Sequence, residues 1–132
     1  MQQDTLSNMV MMDFYICAEE LYFDEINKSI GIQASEIRKK SSFAIKDFAK
    51  DYWSLNTGYE ISDDICIQIQ KIQNKIIGRE NTINEILRKF NAECGFVITI
   101  KLNDDVFPAI YFERDFVELA SNIKANINVD FT

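Results

Sequence analysis

Apolar side chains recur along this chain at two different periods, and the switching between them restricts it to a mixed fold. Phe96, Ile98, Ile100 and Leu102 fall two apart, with Val97, Thr99 and Lys101 between them. A period of two sends successive side chains to opposite faces of a strand. Val10, Met12, Phe14 and Ile16 repeat the pattern, but the residues between them, Met11, Asp13, Tyr15 and Cys17, are mixed. That mixture predicts a sheet face left partly uncovered. Ile127, Val129 and Phe131 alternate in the same way near the end. Tyr52-Trp53-Ser54-Leu55, within Asp51 to Thr57, reads as a further strand closed by Gly58.

Elsewhere the period is helical. Ile65, Ile69, Ile72 and Ile76 step by four, three and four behind Ser62-Asp63-Asp64. A hydroxyl and carboxylates at that place suit the unpaired N–H groups of a helix start. Ile83, Ile86, Leu87 and Phe90 mark a second helix beyond Gly78. Phe23, Ile26 and Ile30 mark a short one that Gly31 can stop, and Phe116, Leu119, Ala120 and Ile123 mark one that Asp115 can cap. Ser35 to Lys50 is irregular, and its Arg38-Lys39-Lys40 run reads as exposed loop. Asn103-Asp104-Asp105 reads as a turn, with Val106 to Phe112 returning as an antiparallel neighbour. Pro108 has no N–H to give a ladder, so an edge or bulge is expected there.

The order is strand, helix, strand, two helices, two strands, helix, strand. It predicts an α+β fold: a single mixed or antiparallel sheet with helices packed mainly on one face. The strand–helix–strand units at both ends are compatible with a ferredoxin-like topology carrying an extra helix. The 132 residues suit one domain, 1–132, with 1–8 expected to be flexible.

Much catalytic chemistry has no residues to run on. The chain has no histidine, which removes the commonest general base and the usual partner of Ser and Cys nucleophiles. Cys17, Cys66 and Cys94 form no CxxC pair, and the four glycines are too scattered for a phosphate-cradling loop. No metal, no cofactor and no enzymatic activity are expected. Odd in number and set in apolar stretches, the cysteines read as free thiols of a reducing compartment. With no secretory pattern and no apolar run near the roughly 20 residues of a bilayer span, a cytoplasmic protein without membrane contact is expected. Glu19-Glu20, Asp63-Asp64 and Asp104-Asp105 are adjacent acids, but neighbours in sequence point different ways, and loop, cap and turn explain them. Trp53 reads as a core residue.

Twenty-one acidic against fourteen basic residues give a net charge of −7. That sign opposes direct nucleic-acid binding and favours a cationic protein partner. The expected function is therefore a non-enzymatic protein-binding domain. Its sharper form is an immunity protein that neutralises a cognate bacterial toxin with a basic surface. Asp63, Asp64, Asp104 and Asp105 are the expected contact residues, and the oligomeric state is left open. The alternative is a small-ligand or regulatory module, with a pocket between sheet and helices lined by Tyr15, Trp53 and Tyr111.

Three landmarks carry a family resemblance. Ile26 runs through Ile30-Gly31-Ile32, Trp53-Ser54-Leu55-Asn56-Thr57-Gly58 follows, and Ile127-Asn128-Val129-Asp130-Phe131 closes the chain. In this order, from about Asp13 to Phe131, they resemble a bacterial family catalogued as domain of unknown function 4279. Ala34-Ser35 and Lys39-Lys40-Ser41 depart from its pattern in one loop. The resemblance implies a small bacterial cytosolic domain and no known activity.

Overall fold

The structure, a computed structural model, describes residues 8–42, 49–103 and 106–132. Its elements are β1 (Met9–Ala18), α1 (Phe23–Ile30), β2 (Glu36–Arg38), β3 (Asp51–Asn56), β4 (Glu60–Ile61), α2 (Cys66–Ile76), α3 (Glu80–Phe90), β5 (Glu93–Lys101), α4 (Arg114–Asn122) and β6 (Asn126–Phe131). The class is α+β, as the two periods require.

The sheet runs β2-β3-β1-β5-β6, and β4 pairs with the start of β1. Neighbours are antiparallel except β5 and β6, which are parallel because helix α4 carries the chain back between them. A ferredoxin-like sheet separates the two strands of each strand–helix–strand unit. Here β1 and β3 are direct neighbours, and so are β5 and β6.

Register explains the core. Phe14 stands opposite Leu55 on one side and Phe96 on the other, while Ile16 stands opposite Trp53. This face is buried, and the inward residues of all four helices join the same cluster. Phe14 and Phe96 have ring centroids 5.2 Å apart, and Phe116 of α4 meets Phe96 edge-on at 4.8 Å. Trp53 is fully buried, and its Nε1 donates to Asn27 Oδ1 at 2.8 Å. The same oxygen accepts from Ala34 N, so one amide ties α1 and the loop after it to β3. Asp51 is a buried carboxylate that accepts from Leu21 N at 3.0 Å and Lys40 N at 2.8 Å. Satisfied in this way, it pins two loops to the strand end.

Two expectations are corrected. The stretch expected to be irregular contains β2, three exposed residues too few to show a period. Phe43, Ile45 and Phe48, whose spacing allows either a brief turn of helix or an extended segment, lie outside the described residues. Val106 to Phe112 is not a strand beside β5, since Val106 bridges only to Asn103 and Ala109 bridges to Asp64. The edge of β5 away from β1 is taken by β6, and Pro108 lacks the donor a ladder needs. At the other end, Asn8 is fully buried, and its Oδ1 accepts from Asn103 N at 3.0 Å. No described helix is long and apolar enough to cross a membrane.

Candidate functional site

Two surfaces carry more chemistry than packing demands. The first is the crossing segment 106–112. Ala109 N donates to Asp63 O at 2.8 Å, and Ile65 N donates to Ala109 O at 3.3 Å. The segment is therefore held along its backbone, and Pro108 is its one buried residue. Val106, Phe107, Ile110, Tyr111 and Phe112 remain exposed, Phe107 at 63%. Phe131, itself exposed at the end of β6, meets Phe107 edge-on at 6.1 Å.

The expected contact acids divide. Asp63 Oδ1 accepts from Asn8 Nδ2 at 3.3 Å, a structural bond. Asp64 Oδ1 accepts from Cys66 N at 2.9 Å at the start of α2, the capping role read from the sequence. Its Oδ2 accepts from the Tyr111 hydroxyl at 3.4 Å, which joins an acid to the apolar segment. Asp104 and Asp105 lie outside the described residues. Glu113 and Asp115, exposed just beyond the segment on either side of the exposed Arg114, leave that end of it acidic on balance.

The second surface is the open face of the sheet. On it Asp13 stands between Asn56 of β3 and Val97 of β5, and Tyr15 stands between Ser54 and Gly95. The Tyr15 ring lies across Gly95, where an added Cβ would come within 2.5 Å of the Tyr15 hydroxyl oxygen. With the ring drawn to that side and only a serine at position 54, a hollow of about 420 Å³ opens over the sheet. Glu36 and Arg38 of β2 wall it, their charged groups 4.0 Å apart. Tyr52 closes another side, its ring centroid 5.8 Å from that of Tyr15.

Burial pushes the half-buried Asp13 carboxyl above its usual range, and the Glu36 charge adds to this. The Asn56 hydrogen bond and Arg38 oppose it. The unfolded chain gives up this proton near the ordinary 3.8, whereas the folded chain holds it to higher pH. Folding stability therefore falls as pH rises through that window and stays lower at neutral pH. Asp13→Asn, which can still bond Asn56, is expected to melt higher than the parent at pH 7. The gain should vanish near about pH 3, where the parent carboxyl is protonated in both states. Melting curves at the two pH values check this; an equal gain at both would remove the linkage.

The three thiols are poor nucleophiles. Burial raises Cys17 and Cys66 and pushes Cys94 up to about 12, so each is protonated at neutral pH. Among the described residues, no three metal-ligating side chains converge. Tyr15, Trp53 and Tyr111 do not share a pocket. Tyr15 faces the open sheet, Trp53 is core, and Tyr111 rides the crossing segment. Glu36 and Arg38 were missed from the sequence because β2 leaves no periodic trace.

One family model, described as Domain of unknown function (DUF4279), matches residues 8–132. Comparison with curated proteins and with solved structures returns no match.

Proposed function

Because the chain belongs to the DUF4279 family, whose description names no activity, we propose its function from the surface it presents: a protein-binding domain that acts by occupancy. The observation that carries this reading is the crossing segment, with five large apolar side chains exposed within seven residues. Soluble proteins rarely leave such a contiguous patch uncovered unless something docks there. Aromatic side chains are also the commonest anchors of protein interfaces.

The charge indicates the kind of partner. Asp64, Glu113 and Asp115 outnumber the exposed Arg114 beside the apolar residues, and the chain carries −7 overall. A basic protein domain is attracted to that charge, whereas a second copy of this chain is repelled by it. The sharper reading is an immunity protein that covers the basic surface of a cognate toxin. Free cysteines at all three positions support a cytoplasmic setting for this encounter.

Co-expression with the product of the adjacent reading frame tests the proposal. A stoichiometric complex that weakens as salt is raised, together with protection of the host cell, is expected. No complex and no protection would overturn immunity. A dimer of this chain alone, dissociated by Phe107→Asp, would replace the basic partner with a second copy.

A further inference from the structure

The hollow on the open face asks for an occupant of definite chemistry. Its lining holds two carboxylates, Asp13 and Glu36, against one guanidinium, Arg38. An anion would meet net repulsion there. A neutral apolar molecule would remove more water from Asp13 and return nothing for its charge. A metal ion lacks a third ligating side chain among the described residues. A cation offsets the cost of the half-buried carboxylate.

The walls narrow the choice further. Tyr15 and Tyr52 offer ring faces tilted 53° to one another, a surface to which ammonium and guanidinium groups are attracted. Met11 and Val97 supply apolar contact beside them. About 420 Å³ suits a small molecule or a single long side chain. We propose that this hollow binds an organic cation, a primary ammonium group on a short apolar stem, seated against Asp13 and beside the paired rings of Tyr15 and Tyr52.

The site differs from the protein-docking segment in place and in chemistry. Phe131, which meets Phe107, stands opposite Ile100 on the helix-bearing face, and the hollow opens on the other. Either surface can therefore fail its test without the other. The ammonium group has two possible sources, a free amine or a lysine side chain of a bound protein, and the probes below separate them.

The experiment is a nitrogen-15 NMR titration of the full chain with n-butylammonium, 1-butanol and Nα-acetyl-lysine methylamide. Butylammonium is expected to shift the amides of Asp13, Ser54 and Asn56, and butanol to leave them in place. Asp13→Asn should weaken butylammonium binding by about tenfold or more while keeping a dispersed spectrum. Gly95→Ala, whose new methyl drives the Tyr15 ring off the strand and toward the hollow, should weaken it with Asp13 intact. Binding of capped lysine as tightly as butylammonium assigns the site to a protein side chain. Exclusion of capped lysine assigns it to a free amine. Failure of butylammonium to shift these amides, or unchanged affinity in Asp13→Asn, overturns the site.

Discussion

Trp53→Ala is expected to remove about 3–5 kcal/mol of folding stability, the range for deleting a large aromatic from a packed core. Trp53 heads the fully buried side chains by size and faces Ile16 across the β1–β3 pair. The loss has two parts. The cavity left behind forfeits apolar burial. Asn27 Oδ1 also loses the indole donor and keeps only the Ala34 N–H. Trp53→Phe keeps most of the ring contact but not the donor, so its cost should fall well below that of alanine. Domains of this size are stable by about 5–15 kcal/mol, so a loss of that size removes a large share of the total. Urea titration reads both values. A loss under about 1 kcal/mol for alanine would mean that β3 does not carry the core.

Phe107→Asp is expected to weaken the partner complex by at least about thirtyfold, or 2 kcal/mol, the threshold of an interface hot spot. Phe107 is 63% exposed and meets Phe131 only edge-on, so the free chain should lose no more than about 1 kcal/mol. That contrast separates a docking residue from a folding residue. Tyr111→Phe, which removes the hydroxyl and its interactions with Asp64 and Cys66 but keeps the ring, should cost far less than Tyr111→Ala. Calorimetric titration of each variant against the partner measures the affinities. Equal affinity for parent and Phe107→Asp would clear the segment of any role.

Much of the architecture was legible because periodicity reports burial. Every residue in the Ile65, Ile69, Ile72 and Ile76 series is buried, and the alternation from Val10 to Ile16 marks the helix-bearing face of β1. Gly31 does end α1, in the left-handed conformation a stop requires. The mixed set Met11, Asp13, Tyr15 and Cys17 likewise announced a partly covered face: the first three are half-buried and Cys17 is buried. Two features left no such trace. Val106 to Phe112 is apolar enough to read as a strand, yet which edge of β5 is occupied is decided by β6, about twenty residues later in the chain. β2 is too short for any period, so Glu36 and Arg38 could not be placed beside Asp13 from sequence alone. The hollow depends on a cross-strand relation, Tyr15 over Gly95, between residues eighty positions apart.

The sharpest measurement is hydrogen exchange of the chain, free and bound to the product of the adjacent reading frame. Slowed exchange centred on residues 106–112 and the end of β6 is the predicted footprint. A complex that leaves those amides exchanging at the free rate, with protection elsewhere, would show that the exposed aromatic segment is not where the partner docks.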